Sequence, residues 1–280
     1  MRSMSGEISP GVMLLDVSPR AIVRESKPQL DLTFAGGLGR HNPRLSILEM
    51  LPTELGTLKR KLGRAEDGRR YVLLSNSSPR AGAALNEYYC SRVADECGVP
   101  VPPFGTFKSQ NQVYFGSRYA CGKLGIRELR ELRHGKSLEN IRQQLSSIYA
   151  FDQLLANTDR SHENLLLLSE DDWYVIEAID FSEAAHFGED WNAAAMLRDN
   201  CTSTHTFNAY FSQFSFDRAS AERVINRLLQ MRNNFIDECT AAAPPQWVSA
   251  SEACAKSWAY WWRNVRLPRS ELLFKKLRPQ

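Results

Sequence analysis

The stretch Asn157-Thr158-Asp159-Arg160-Ser161-His162-Glu163-Asn164, followed by an apolar run and then Ile179-Asp180-Phe181, holds the residue types that phosphoryl transfer needs. That reaction asks for a carboxylate to orient the attacking hydroxyl, and for an amide oxygen and a second carboxylate to hold magnesium against the nucleotide phosphates. Asp159, Asn164 and Asp180 match those needs in that order. The five-residue step from Asp159 to Asn164 spans one loop, so both side chains can face one metal-phosphate centre. Two apolar runs, 165–169 and 173–179, are joined by a turn at Glu170-Asp171-Asp172. They predict a hairpin that brings Asp180 back beside the loop. An Asp followed five residues later by an Asn also arises by chance, so the spacing gains meaning only from the elements around it.

Those elements are legible. Before the loop, Leu138, Ile141, Leu145, Ile148 and Leu155 recur at spacings of three and four, which predicts a helix over 137–156 burying one face. Upstream, residues 45–75 read as three short antiparallel strands, with Glu66-Asp67-Gly68 as the hairpin turn between the last two. A helix of about fifteen residues follows, its stripe formed by Leu85, Tyr88 or Tyr89, and Val93, and Gly98 stops it. Val99-Pro100-Val101-Pro102-Pro103 cannot be helical and leads into two more strands, near 104–108 and 113–119. Beyond the loop, helices are predicted at about 217–238 and about 250–266, the second opened by Ser249 and Glu252 in capping-box spacing. Residues 1–30 read as a loosely attached arm or an edge strand.

Composition narrows the function classes. A chain of 280 residues with 43% hydrophobic and 24% charged residues can bury a core and fits neither the disordered nor the collagen-like class. Its net charge of +3 implies no direct nucleic-acid binding by itself. Charge is uneven, however: residues 150–199 carry twelve acidic side chains against Arg160 and Arg198 alone. Basic residues gather at 55–80, where Lys59, Arg60, Lys61, Arg64, Arg69, Arg70 and Arg80 face only Glu66 and Asp67. The six cysteines form no CxxC pair, which argues against a zinc site or a disulfide framework and for buried thiols in a cytoplasmic protein. No window is apolar enough to suggest a membrane span.

Taken together, FDQLLANTDRSHENLLL, the AIDFS strand end, DGRRYV, LNEYY, GVPVPP and APPQW resemble the HipA-like kinases and, more distantly, the type II phosphatidylinositol 4-kinases, over roughly residues 45–270. The resemblance implies an α+β, bilobal protein-kinase-like fold: an arm at 1–30, a small β-rich N-lobe with one helix at 31–120, and a larger helical C-lobe at 121–280. It implies that Asp159 is the catalytic base, that Asn164 and Asp180 hold magnesium, and that Glu87 is the helix glutamate that pairs with an ATP-binding lysine. It also implies ATP and magnesium as cofactors, a Ser or Thr hydroxyl on a protein as acceptor, possible toxin-type action, and an antitoxin or DNA-binding protein as partner. No membrane is expected.

One departure bears on ATP. The family carries a lysine on the third strand, and this chain reads Tyr71-Val72-Leu73-Leu74-Ser75, so that Leu74 stands at the lysine position without a donor. Two repairs offer themselves. Lys59 and Lys61 share one strand face by period two, and one of them could enter the cleft; alternatively, Arg80 could reach Glu87. With neither, the chain is a pseudokinase that regulates by binding nucleotide or a partner. A lipid or small-molecule kinase is a third reading. A lesser departure is Ser182 where Asp-Phe-Gly would put glycine.

Other features take plainer readings. GGLG at 36–39 lacks the following Lys-Ser/Thr of a phosphate loop and reads as a loop, and within 52–57 only Gly56 supports a phosphate-covering turn. Trp258, Tyr260, Trp261 and Trp262 read as core packing with snorkelling Arg263 and Arg266 rather than as a nucleic-acid stacking platform, His162 as a loop residue, and Arg160 as the partner of a carboxylate in the acidic block.

Overall fold

The turn Glu66-Asp67-Gly68 organises the first half of the chain. In the computed structural model, which describes residues 41–55, 60–76, 82–120, 137–170, 173–184 and 200–277, Gly68 adopts a φ of 78° that costs a residue without Cβ nothing. The Asp67 carboxylate accepts from the Arg69 amide at 3.0 Å and from the Tyr71 hydroxyl at 2.6 Å, which closes the turn. The flanking strands β2 (Arg60–Ala65) and β3 (Arg70–Ser75) pair antiparallel, with Lys61 opposite Leu73 and Leu62 opposite Val72.

A strand β1 (His41–Leu55) pairs antiparallel with β2 and, through its first residues, parallel with β4 (Phe104–Ser109). Strand β5 (Gln112–Arg118) lies between β3 and β4, so five strands close into a barrel in the order β1-β2-β3-β5-β4. The expected strand at 45–51 is therefore longer than its apolar run, because its leading residues close the barrel against a strand some sixty positions away. Ile47, Ala65, Tyr71, Leu73, Phe107 and Tyr114 fill the interior, with the Tyr71 and Phe107 rings 4.3 Å apart. The alternation along β3 sends Tyr71 and Leu73 inward and Leu74 outward, into the main core.

Helix α1 (Ala83–Cys97) packs against that outer face on β3 and β5 and is enclosed on its other sides by C-terminal helices. Enclosure explains why Asn86 and Glu87 are buried beside its apolar stripe. Gly98 ends it at a φ of 70°, and the Arg227 guanidinium donates to the neighbouring Cys97 carbonyl at 3.2 Å. A Cβ on Gly98 would fall 1.7 Å from Arg227 Nη1. Strain and clash act together, so Gly98→Ala is expected to destabilise the protein by about 1–3 kcal/mol, measured by denaturant unfolding against wild type; an unchanged midpoint would show that this cap is dispensable.

Helix α2 (Ser137–Leu155) leads into the loop at 156–164, which ends in a 3-10 turn over His162–Asn164. The hairpin β6 (Leu165–Glu170) and β7 (Trp173–Ala178) follows as its apolar runs predict. Then come α3 (Thr202–Phe211), α4 (Arg218–Gln230), α5 (Phe235–Ala242), α6 (Pro245–Ala250), α7 (Glu252–Tyr260), a π-helical turn at Trp261–Val265 and α8 (Arg266–Lys276). Helix α2 packs against α4, β7 and α8.

Two expectations fail here. The single helix over 217–238 is broken between α4 and α5, because the buried Arg266 takes the Leu228 and Met231 carbonyls and Asn233 Oδ1 while Trp262 Nε1 takes the Arg232 carbonyl. No capping box forms from Ser249 and Glu252: Ser249 lies inside α6 and its hydroxyl donates to the Gln246 carbonyl, so α7 begins at Glu252 after Ser251. The tryptophans 247, 258, 261 and 262 are all core residues, whereas Tyr260, expected among them, is 58% exposed on the outer side of its helix. Cys90, Cys97 and Cys239 are buried free thiols, and Cys201 and Cys254 are free and half-buried. Among the described residues no helix is long and apolar enough to cross a membrane. The arm at 1–30, the GGLG stretch, Lys59 and Arg80 lie outside the described residues.

Candidate active site

The loop after α2 is fastened by one buried arginine. Arg160, with no exposed surface, grips both Asp152 carboxylate oxygens through Nε at 2.8 Å and Nη2 at 3.0 Å, so its partner is a carboxylate of the acidic block, in the last turn of α2. Its Nη1 donates to the Asn164 carbonyl at 3.0 Å and to the Ile179 carbonyl, and the guanidinium stacks 4.7 Å from the Phe181 ring centre. Asn157 adds a bond from Nδ2 to Asp152 at 2.8 Å, and Ser203 at the start of α3 accepts the Arg160 amide at 2.7 Å. Five donors in a rigid plane suit arginine to this junction of helix, loop and strand end.

Within the loop, Asn164 Nδ2 donates to the Asp159 carbonyl at 2.9 Å. The amide nitrogen is thereby spent, and Oδ1 is the atom Asn164 offers a cation. The Ile179 amide donates to the Asn164 carbonyl at 3.1 Å, which sets the residue before Asp180 against the end of the loop. Asp159 is exposed at the loop tip. Partial burial and the Asp180 and Glu183 carboxylates push its carboxyl above its ordinary pKa, against the pull of Arg160.

Asp180 sits at a φ of 58°, a left-handed conformation that a non-glycine residue adopts at a cost. Its carboxylate accepts from the Ser182 amide at 3.3 Å and from Ser182 Oγ at 2.7 Å, the second a bond that the serine in place of glycine makes available. It also accepts from Arg60 at 2.8 Å (Nη1) and 2.6 Å (Nη2). Burial alone would raise its pKa, yet Arg60 and Ser182 outweigh burial and hold it well below the carboxylate range. Glu87, 4% exposed, accepts from Arg60 Nη2 at 3.2 Å and from the Phe181 amide at 3.1 Å. Its burial and the Asp180 charge beside it push its pKa up to about 7, with Arg60 and the Phe181 amide opposing. Asn86 completes the bracket: Nδ2 donates to the Phe181 and Ala184 carbonyls and Oδ1 accepts from Trp258 Nε1 at 2.8 Å.

The structure thus gathers Asn164, Asp180 and Glu87 around two arginines, with Asp159 at the tip of the same loop. Leu74 is 2% exposed and purely a core residue. Among the described residues no lysine pairs with Glu87. Lys61 stands opposite Leu73, on the inward face of β2, and lines a groove of about 600 Å³ at the barrel rim with Met50, Pro52, Gln110 and Tyr114. The cation on Glu87 is Arg60, one residue away and on the opposite face. Lys61 thus faces away from the cleft that one of the two lysines was expected to enter, and Lys59 lies outside the described residues. Counting the register through the Glu66-Asp67-Gly68 turn would have found Arg60, since residues facing one another across β2 and β3 sum to 134 and the partner of position 74 is position 60.

Asn164 and Asp180 fit a magnesium ion. Among the described residues no three His, Cys, Asp or Glu side chains form a metal cage. Magnesium does not need one, since it keeps waters and takes its other ligands from substrate phosphates. The Asn164 amide oxygen and the Asp180 carboxylate are donors of that kind, on two backbone segments that the Ile179 amide and Arg160 tie together.

A family model described as HipA-like kinase matches residues 47–268. No curated protein matches the chain. Among solved structures, the chain is similar to the Helicobacter pylori proinflammatory kinase CtkA, with 14% identity and a TM-score of 0.57 over 84% of this chain and 98% of that one. A second similar structure is HipA of Shewanella oneidensis, in a complex with HipB and operator DNA, with 11% identity and a TM-score of 0.44 over 76% of this chain and 62% of that one. The likeness to the Helicobacter protein is one of fold: a kinase-like arrangement of strand-rich first part and helical remainder.

Proposed function

Because the chain belongs to the HipA-like kinase family, we propose that it transfers the γ-phosphate of ATP to a hydroxyl, that of a Ser or Thr on a protein. The observation that carries this reading is the common anchoring of Asn164 and Asp180, through the Arg160 guanidinium and the Ile179 amide that both meet the Asn164 carbonyl. Residues 31–120 form the nucleotide-covering lobe in this reading and 121–280 the catalytic lobe.

Asp159 orients the acceptor hydroxyl and takes its proton as the new oxygen–phosphorus bond forms. The bond between the γ-phosphorus and the bridging oxygen breaks, and its electron pair leaves with ADP. Asn164 and Asp180 hold the magnesium that accompanies ATP, and that ion supplies neutralisation of the phosphate charge. A base with a raised pKa matches the task, since it retains the proton better once transferred. A DNA-binding antitoxin as partner and toxin-type action belong to the same proposal and rest on the family alone.

The test is incubation with γ-labelled ATP and magnesium, reading label on the protein itself and on candidate acceptor proteins, with thermal stabilisation by nucleotide measured alongside. Wild type is expected to be stabilised and to transfer label, and Asp180→Ala to transfer none. Neither stabilisation nor transfer by wild type overturns the kinase reading. Stabilisation without transfer to any acceptor favours instead a regulator that binds nucleotide and does not turn over.

A further inference from the structure

The third-strand position that should hold a phosphate-binding cation is Leu74, an apolar side chain sealed in the main core. A kinase of this type still needs a positive group there, because nucleotide phosphates must otherwise settle beside Glu87 and Asp180, two carboxylates. Arg60 is placed to supply it. The β2–β3 register, continued by one residue, sets Arg60 directly opposite Leu74 on the same face of the barrel. Cross-strand neighbours lie only about 5 Å apart, a gap that arginine's long side chain spans. Its head reaches both Glu87 and Asp180, and the side chain is 16% exposed.

We propose that Arg60 is the phosphate-binding cation of this site, standing in from the second strand for the donor that Leu74 cannot supply, and that it exchanges Asp180 for nucleotide phosphate on binding. The inference rests on the kinase reading. The geometry of the fork explains why an arginine can do this. Nη2 is shared between Glu87 and Asp180, whereas Nη1 serves Asp180 alone. Glu87 is itself held by the Phe181 amide on its other oxygen, so it stays in place as the anchor. Asp180 is the partner that can leave, since the proposed magnesium would draw its carboxylate away and Ser182 would continue to hold it. The edge of the guanidinium released from Asp180 then presents two parallel N–H groups, a spacing that suits phosphate oxygens as well as it suits a carboxylate. Arg60 therefore does two successive tasks: it neutralises Glu87 and Asp180 in the free protein, and keeps Glu87 while binding phosphate in the complex.

The experiment measures magnesium-ATP affinity by calorimetry, with the melting temperature of each unliganded protein recorded in parallel. Arg60→Met is expected to weaken binding about 10- to 100-fold, the worth of charge-assisted hydrogen bonds. Adding Leu74→Lys to that variant is expected to recover most of the affinity, because the lysine projects from the opposite strand toward the same Glu87. Should Arg60→Met fail to fold, Arg60→Gln keeps a donor for Glu87 without the charge and is expected to show the same loss. Unchanged affinity in a folded Arg60 variant, even one with a lowered melting temperature, overturns the inference and leaves the kinase reading standing. Absence of magnesium-ATP binding by wild type overturns both.

Discussion

Arg160→Met is expected to destabilise the protein by about 3–5 kcal/mol, the cost of breaking a buried ion pair from one side. Both partners have no exposed surface, and among the described residues Asp152 would keep Asn157 alone as a side-chain donor. The methionine fills similar volume, so the loss is electrostatic and hydrogen-bonding rather than a cavity. The Asn164 and Ile179 carbonyls would lose the donor they share, and the Asn164 carbonyl would keep the Ile179 amide. Denaturant unfolding measures the change, and a double-mutant cycle with Asp152→Leu sharpens it. The double variant is expected to lose less than the sum of the singles, because it removes both charges together. Additive losses would mean that the two side chains stabilise the loop independently, and a loss below about 1 kcal/mol would remove Arg160 from the positioning of the site. Nucleotide-dependent transfer is expected to fall as well in whatever fraction remains folded, since the same guanidinium fixes Asn164 relative to Asp180.

How far the sequence reveals this site depends on how local each contact is. Asp159, Asn164 and the β6–β7 hairpin before Asp180 follow from spacing within one short stretch, and the helix over 83–97 follows from its stripe and its glycine stop. The turn at Asp67-Gly68 is legible because the residues that make it are the residues in it. Arg60 was hidden for a different reason. Its role depends on which strand residue faces which across a turn, and a step of one residue moves a side chain from the cleft to the barrel interior. Lys61 and Arg60 are equally basic, so composition could not separate them. The break between α4 and α5 was likewise invisible locally, since the guanidinium that holds it comes from Arg266, more than thirty residues on. The parallel pairing of β1 with β4 closes the barrel across some sixty positions. In the site itself, the bracket from Asn86 to Trp258 spans most of the folded chain, and nothing near Asn86 announces it.

Asp159→Asn separates chemistry from architecture more cleanly than any other change. The polar contacts that tie residue 159 into the loop are made by its backbone: its amide donates to Asn157 Oδ1 and its carbonyl accepts from Asn164 Nδ2. Asparagine keeps those bonds and nearly the same shape, so folding stability is expected to stay within about 0.5 kcal/mol of wild type. Nucleotide affinity is expected to change little, because the groups placed on the phosphates and the metal are Arg60, Asn164 and Asp180. The amide cannot take a proton from the acceptor hydroxyl, and positioned general-base catalysis contributes about 10²- to 10⁴-fold. Phosphoryl transfer at saturating ATP is therefore expected to fall by that factor, read as kcat in a single-acceptor assay beside a binding isotherm. Transfer retained within tenfold of wild type would take the proton-accepting role from Asp159. A parallel collapse of ATP affinity would instead place its carboxylate among the metal ligands, and the two outcomes differ in a measurement that does not depend on turnover.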